Sequence, residues 1–218
     1  MIEASTFQFL KDLEQNNTRE WFKPNKDRYQ KALLNFENFV NAFIKALAKI
    51  EPELHEVSAK HCIFRIYRDI RFSKNKTPYK DHFGAHITEA GRKSPGPGYY
   101  FHLKPSGSFL AGGIFGPDSA KLAAIRQEID YNSKEFLSIL ESDSFKSTFS
   151  KLEGDQLKTA PKGYEQDHEM IEYLRYKSFL LVHQFTDEEI FNKNFLYRLV
   201  EISKEIYPFH QFIRKALS

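Results

Sequence analysis

A block of short segments that alternate apolar and polar residues occupies the middle of this sequence, between two regions of helical periodicity. The alternation is typical of half-buried β-strands, and turns rich in glycine and proline separate the segments. Strands are predicted at residues 62–72, 83–88, 98–104, 108–115 and 178–185. Because the first four follow one another with short connections, they predict an antiparallel meander.

Apolar residues recur at helical spacing on both sides of this block. The predicted helices include residues 5–16, 24–50, 133–150 and 167–176. Thr186 and Glu189 form a capping-box signature ahead of the C-terminal helices. The order predicts an α+β fold, in which a mostly antiparallel sheet from the middle of the chain packs against N-terminal and C-terminal helices.

The length of 218 residues suits one domain, and we expect residues 1–218 to form it. Hydrophobic residues make up 41% of the chain and charged residues 28%, a balance typical of a folded protein. No apolar run approaches the roughly 20 residues of a membrane span, so no membrane partner is expected. The first residues do not resemble a signal peptide, and Cys62 is the single cysteine. These features favour a soluble protein of the reducing cytoplasm.

Positive charge is concentrated in residues 60–104. This segment holds ten Lys or Arg and three Asp or Glu, a local charge of +7 in a chain whose net charge is +3. The remainder of the chain is therefore acidic. A basic segment in an otherwise acidic protein indicates an anionic partner. The alternative is a solvated surface, or pairing with acidic helices elsewhere in the fold.

The stretch from Arg65 to Lys80 is the most informative part of this segment. As a strand, it would turn apolar residues to one face and charged residues to the other. The first face would hold Phe64, Ile66, Ile70 and Phe72, and the second would hold Arg65, Tyr67, Asp69 and Arg71. Arg68 falls on the apolar face. It must reach the core edge, a carboxylate or a bound anion, because an unpaired buried charge costs several kcal/mol.

The residues after Phe72 have the chemistry of a turn, which would bring lysines to the end of the arginine-bearing strand. Arginine forks match phosphate or carboxylate oxygens in pairs, and lysines add point charge. We therefore predict an anion pocket with the anion-binding residues Arg65, Arg68, Arg71, Lys76 and Lys80. Asp69 would act as a base or orient an arginine, and Tyr79 and His82 would be proton donors or substrate contacts.

Two further patterns bear on ligands. His82, His86 and His102 could meet on neighbouring strands, but no cysteine or pair of carboxylates completes a familiar ligand spacing, so no metal site is predicted. No motif specifies a cofactor. Gly112 and Gly113 lie inside a predicted strand and indicate a bulge, or a close approach of another backbone or a ligand.

The charged stretch resembles the signature of a family of uncharacterised bacterial proteins, domain of unknown function 2461. That signature is, in outline, Arg, two residues, Arg-Asp, one residue, Arg-Phe, then a spaced Lys and Tyr. Its positions fall on Arg65, Arg68, Asp69, Arg71, Phe72, Lys76 and Tyr79. Residues 16–22 are also similar to the start of that family, and the length fits over essentially the whole chain. The resemblance implies no established activity, so the motif residues are candidates.

Three functions fit these observations. The one we favour is binding of a phosphorylated small molecule or nucleotide through a basic pocket, with a reaction on that ligand as an extension. The alternative is a nucleic-acid-binding module, in which aromatic rings between the basic residues would stack on bases. The third is a structural or interaction protein, in which the charged motif is an internal ion-pair network. The sequence specifies neither the substrate nor the oligomeric state.

Overall fold

The computed structural model describes all residues from 1 to 218, and one four-stranded sheet lies in the middle of its chain. The strands are β1 (Phe83–Ile87), β2 (Gly98–Leu103), β3 (Ser108–Ile114) and β4 (Phe179–Phe185). They lie in the order β1-β2-β3-β4 and run antiparallel, so strands that are consecutive in the sequence are neighbours in the sheet. The predicted α+β fold is confirmed, and three of the four strands predicted for the meander form it. Each of the four observed strands lies within one residue of its predicted bounds.

Helices precede and follow the first three strands. They are α1 (Ala4–Gln15), α2 (Arg19–Phe22), α3 (Lys26–Leu47), α4 (Ala59–Cys62), α5 (Ser119–Tyr131), α6 (Ser133–Glu141), α7 (Asp143–Thr148), α8 (Ile171–Leu174), α9 (Asp187–Phe191) and α10 (Phe195–Ala216), with short 3₁₀ turns at Pro52–Leu54 and Gly91–Lys93. The Thr186–Glu189 capping box at the start of α9 is confirmed. None of the helices has both the length and the apolar character needed to cross a membrane.

Two predicted helices differ from the observed ones because side chains compete with the helical backbone. The predicted helix at 133–150 is divided into α6 and α7, and the Ser142 hydroxyl between them accepts a hydrogen bond from the Phe145 N–H at 3.2 Å. The prediction at 167–176 is too long. There the His168 ring accepts the Met170 N–H at 3.1 Å, and the helical hydrogen bonds start only after it.

The prediction of a strand at 62–72 is wrong. Cys62 ends α4, and the residues that follow make only two isolated bridges to the chain before and within β1. The Lys80 N–H donates to the Ile66 carbonyl and the Phe64 N–H donates to the Gly84 carbonyl. Three residues, 81–83, therefore lie opposite the single residue between Phe64 and Ile66, and this bulge interrupts the ladder.

The alternation that suggested a strand is nevertheless real. Ile66 is 1% exposed, whereas the neighbouring residues on the predicted charged face are exposed. Arg68 is less exposed than the charged residues on either side of it, as its place on the apolar face predicted. Phe72 is the exception, because its ring is 95% exposed instead of buried. The segment therefore has extended geometry without a continuous partner strand.

The chain forms two compact units. The first unit comprises Met1–Ser94, Tyr100–Leu110 and Gln184–Val200, and the second comprises Pro95–Tyr99, Ala111–His183 and Glu201–Ser218. In the first unit phenylalanine rings fill the core between α3 and the sheet. Phe36 lies with its ring centroid 5.3 Å from Phe83 and 5.9 Å from Phe101, and all three are almost completely buried. The prediction of a single domain stays a prediction.

The two adjacent glycines of β3 belong to the second unit. Gly113 has a φ of +128°, and a Cβ there would collide with the Phe179 carbonyl oxygen of β4. A Cβ on Gly112 would collide with the side chain of Ile206. The predicted close approach is confirmed, and glycine is required at both places because no side chain fits.

Candidate functional site

A cleft of about 590 Å³ opens beside the bulge that precedes β1. Its lining residues are Glu14, Asn17, Arg68, Asp69, Asn75, Thr77, Tyr79, Lys80, Asp81 and His82. Five of the eight predicted site residues are in this lining, namely Arg68, Asp69, Tyr79, Lys80 and His82. The bulge explains why the last two are there, because extra residues in one strand re-aim the neighbouring side chains.

The other three predicted residues do not line the cleft. Arg71 forms a bidentate ion pair with Asp69, in which Nε lies 2.9 Å from Oδ1 and Nη2 lies 2.7 Å from Oδ2. Lys76 Nζ donates to the Ile70 carbonyl at 2.9 Å and closes the loop between them. Arg65 is exposed. Among the arginines of the motif, Arg71 therefore has a carboxylate partner, in an ion pair that is exposed.

Arg68 is held by hydroxyl groups and not by a carboxylate. Its Nη1 donates to Thr77 Oγ1, and its Nη2 lies 3.5 Å from Ser73 Oγ. Asn75 Oδ1 in turn accepts both the Thr77 hydroxyl and the Thr77 N–H at 2.9 Å. This chain of neutral partners fixes the direction of the guanidinium without cancelling its charge.

Lys80 is the second cation of the lining without a carboxylate partner. Its Nζ lies 5.0 Å from the centroid of the Phe64 ring, a cation–π contact. Burial lowers the pKa of the Lys80 ammonium, and the positive charge of Arg65 lowers it further. The cleft therefore contains one permanent cation, Arg68, and one ammonium whose charge is disfavoured by its surroundings.

Asp81 and His82 form a hydrogen-bonded pair at the centre of the bulge. His82 Nδ1 lies 3.0 Å from Asp81 Oδ1. Because an ionised carboxylate only accepts hydrogen bonds, Nδ1 carries the proton in the neutral ring and Nε2 keeps its lone pair. Burial lowers the pKa of His82 in spite of the opposing effect of Asp81, so the ring is neutral at pH 7.

Lys104, which directly follows β2, forms ion pairs with Asp81 and with Glu14. Its Nζ contacts the Asp81 carboxylate and lies 2.9 Å from Glu14 Oε1 of α1. Burial would by itself raise the pKa of Asp81, but the hydrogen bonds from Lys104 and His82 outweigh it and bring the pKa to about 2. Asp81 is therefore ionised at neutral pH and holds His82 in one tautomer.

A column of rings supports His82 on the sheet. His102 stacks on His82 at 4.1 Å and on Phe109 at 4.6 Å between ring centroids. Burial and the neighbouring His82 bring the pKa of His102 to about 3, and burial raises the pKa of Tyr100 to about 12. Tyr100 therefore keeps its proton, and its hydroxyl oxygen lies within hydrogen-bond distance of His102 Nδ1, at 3.1 Å. The column is neutral and positions the edge of the site.

Tyr79 is fixed by the segment between α1 and α3. The Asn17 amide donates to the Tyr79 carbonyl at 3.0 Å and accepts its N–H at 3.1 Å, and Phe22 stacks on the Tyr79 ring at 4.0 Å. Burial raises the pKa of Tyr79, so its phenol is protonated. These contacts join the two stretches that carry the family resemblance, residues 16–22 and the charged motif.

Besides Asn75 and Thr77 of the predicted turn, four residues of this site were not among the predicted ones, namely Glu14, Asn17, Asp81 and Lys104. Asp81 could have been found, because a carboxylate directly before a candidate histidine is a common way to orient the ring. The others come from elements that only the fold brings together, since Asn17 is 62 positions away from Tyr79.

The spacing of the histidines did not predict a metal site, and this stays a prediction. His, Cys, Asp and Glu side chains do not converge in any group of three or more that could hold a metal ion. His86 Nδ1 lies 3.3 Å from the Arg92 carbonyl, whereas His82 and His102 stack on each other. Cys62 is buried, and burial raises the pKa of its thiol to about 11.

The fold and the cleft define an α+β protein whose site combines two cationic residues without a carboxylate partner, Arg68 and Lys80, with an ionised aspartate that is hydrogen-bonded to a neutral histidine. A family described as conserved hypothetical protein (DUF2461) matches residues 5–212. The chain belongs to this family, as the resemblance of its charged motif predicted. No curated protein and no solved structure matches the chain.

Proposed function

We propose that the cleft binds a small phosphorylated molecule, a class that includes nucleotides, and that the Asp81–His82 pair exchanges a proton with it. The observation that carries this proposal is the placement of Arg68 and Lys80 in the same cleft, neither of them paired with a carboxylate. A cation fixed in a concave site without an internal counterion is suited to a ligand that brings the negative charge.

Phosphate is the anion that best suits this pair. The Arg68 guanidinium offers its donors in a planar fork that matches two phosphate oxygens, and the Lys80 ammonium adds a point charge. The hydroxyls of Thr77 and Ser73 already orient the fork, so little side-chain entropy would be lost on binding. The volume of about 590 Å³ is in the range of small-molecule sites.

The carboxylates of the cleft favour a small ligand over a long polyanion. Asp81 and Glu14 share one lysine, Lys104, so this side of the cleft keeps negative charge. A phosphate group at Arg68 and Lys80 would avoid that side, whereas a continuous phosphate backbone would meet it. The neutral His82 lies there instead, with Nε2 available to a hydroxyl or other polar group of the same ligand.

A nucleic-acid role is the second candidate, and a different observation favours it. The Phe72 ring is 95% exposed and Tyr67 is 47% exposed. Both belong to the loop that carries Arg71 and the exposed lysines Lys74 and Lys76. Exposed rings between basic side chains suit stacking on unpaired bases. Retention of single-stranded DNA that falls with rising salt, and is lost in Phe72→Ala, would support this role.

A thermal-shift panel tests the proposal, with inorganic phosphate, pyrophosphate and nucleotides at equal ionic strength. A ligand at ten times its Kd adds about 1.4 kcal/mol to the free energy of unfolding, or roughly 3–5 °C for a chain of this size. We expect this rise for the wild type and for Arg65→Met, and its loss in Arg68→Met. Arg65→Met is the matched control, because it removes an exposed arginine of the same segment.

Two results would contradict the proposal. The first is an unchanged melting temperature with every phosphorylated compound. The second is an equal loss of the shift in Arg65→Met and Arg68→Met, which would assign the effect to the general charge of the segment and not to the cleft.

A further inference from the structure

We propose that Lys80 is a nucleophilic amine that forms an imine with an aldehyde or ketone group of a phosphorylated compound bound in the cleft. This inference rests on the proposed function and names the substrate class as phosphorylated carbonyl compounds. Three elements of such a site line one cleft, namely an amine at Lys80, an anion anchor at Arg68 and a proton-transfer group at His82.

The surroundings of Lys80 disfavour its charged form. Burial lowers the pKa of its ammonium, although the Phe64 ring, whose centroid lies 5.0 Å from Nζ, attracts the charged form. The Phe64 ring packs edge-on against Tyr100 at 6.1 Å between centroids. No carboxylate forms an ion pair with Lys80, and Arg65 places a second positive charge nearby. A lysine in a partly apolar site beside another cation is more easily deprotonated, and the neutral amine is the nucleophile.

Lys104 provides a contrast at the same site. Its ammonium contacts two carboxylates, Asp81 and Glu14. Burial would lower the pKa of Lys104, but these two partners raise it above its usual value. The two lysines thus differ, because Lys104 is an ammonium paired with two carboxylates, whereas Lys80 lines the cleft without a carboxylate partner.

The backbone at Lys80 keeps the amine in place. The Lys80 N–H donates to the Ile66 carbonyl at 2.8 Å, and the preceding residue is clamped by Asn17. A side chain that starts from a fixed backbone and crosses an aromatic ring has few conformations to lose when it reacts.

The reaction balances without an oxidant or a reductant. The lone pair of Lys80 Nζ attacks the carbonyl carbon, and the carbonyl oxygen takes a proton to give a carbinolamine. The C–O bond then breaks, the oxygen leaves as water, and the nitrogen loses its last proton to form the C=N bond. His82 Nε2 can accept a proton from the nitrogen and return it to the departing oxygen.

Pyridoxal 5′-phosphate is a probe that carries both an aldehyde and a phosphate. The full-length protein is incubated with a low concentration of it, reduced with borohydride and mapped by peptide mass spectrometry. We expect label at Lys80 at least about tenfold above label at Lys74, an exposed lysine of the same motif. Pyrophosphate should suppress this label, and pyridoxal, which lacks the phosphate, should label Lys80 about fivefold more slowly.

Two variants distinguish a loss of the Lys80 label from a loss of folding. Lys80→Arg keeps the positive charge and the contact with Phe64 but cannot form an imine, so it should still bind pyrophosphate and lose the label. Arg68→Met should lower the label at Lys80 and leave that at Lys74 unchanged.

Label at Lys80 no greater than label at Lys74, in a protein that pyrophosphate still stabilises, would overturn the imine inference and leave the proposed function standing. Absence of both the label and the stabilisation by pyrophosphate would overturn the two together.

Discussion

Arg68 and Arg71 lie three residues apart in one loop and have different counterparts. Arg71 is matched by Asp69 on both oxygens, in an exposed pair whose contribution to stability is small. Arg68 is directed by two hydroxyls and has no carboxylate. Arg71 therefore pairs with a carboxylate within the loop, whereas the charge of Arg68 stays available to a ligand in the cleft.

At the scale of residues, the Asp81 carboxylate predicts a pH-dependent stability. Its pKa is about 2 in the folded chain against an ordinary value of 3.8, so its stabilisation is complete above pH 4 and is lost as the pH falls from 4 to 2. We expect Asp81→Asn to be less stable than the wild type by about 1–2 kcal/mol at pH 6, after allowance for solvent screening. Urea unfolding at pH 6, 4 and 3 measures this difference.

The control for this prediction is Asp155→Asn, which removes an exposed carboxylate that lies 3.8 Å from Lys177 Nζ. It should change the free energy of unfolding by less than about 0.5 kcal/mol at each pH. If the stability deficit of Asp81→Asn is the same at pH 6 and at pH 3, the predicted stabilisation of the ionised Asp81 carboxylate in the folded chain is contradicted.

At the scale of elements, the site depends on the connection between α1 and α2. Asn17→Ala removes both hydrogen bonds to the Tyr79 backbone, and the freed N–H and C=O groups are partly buried. We expect a loss of about 1–3 kcal/mol in the free energy of unfolding, together with weaker pyrophosphate binding. The matched variant Asn16→Ala removes an exposed bond to the Asp12 carbonyl and should cost about 0.5 kcal/mol. Equal losses of unfolding free energy in Asn17→Ala and Asn16→Ala would contradict the role of Asn17 in holding the Tyr79 backbone.

The approach of β3 to β4 gives a second test at this scale. Gly113→Ala would place a methyl group on the Phe179 carbonyl oxygen at a φ of +128°, so we expect a loss of about 3 kcal/mol or more. Gly116 also has a positive φ, of 56°, but nothing lies within 4 Å of its missing Cβ. Gly116→Ala should cost only about 1–2 kcal/mol of backbone strain. Thermal unfolding measures both losses of stability. Similar losses in Gly113→Ala and Gly116→Ala would contradict a collision at Gly113.

The strands and the segment at 62–72 show which structural features can be predicted from local sequence and which cannot. The strands of the meander were predictable, because alternation and turn residues are local signals. The segment at 62–72 has the same alternation but is not a strand, since its partner carries extra residues at 81–83. Strand pairing depends on two distant segments, and a pattern in one of them cannot reveal the register of the other.

At the scale of the whole molecule, charge along the sequence and charge at the site differ. Residues 60–104 have a local charge of +7 in a chain of +3, which predicted a basic pocket. Folding brings Glu14 of α1 to the cleft, where the basic segment also contributes the carboxylates Asp69 and Asp81. The candidate residues were largely predictable from residue type, whereas the balance of charge around them was not, because α1 contributes to it from outside the motif.

Arg68, which has no carboxylate partner, gives its side of the cleft a positive charge that a phosphate would neutralise. Calorimetric titration of the protein with pyrophosphate at fixed ionic strength measures this directly. We expect binding to one site, with an affinity at least about tenfold lower in Arg68→Met, a loss of about 1.4 kcal/mol, and an unchanged affinity in Arg65→Met. Absence of heat in the wild type, or equal affinity in the wild type and Arg68→Met, would contradict it.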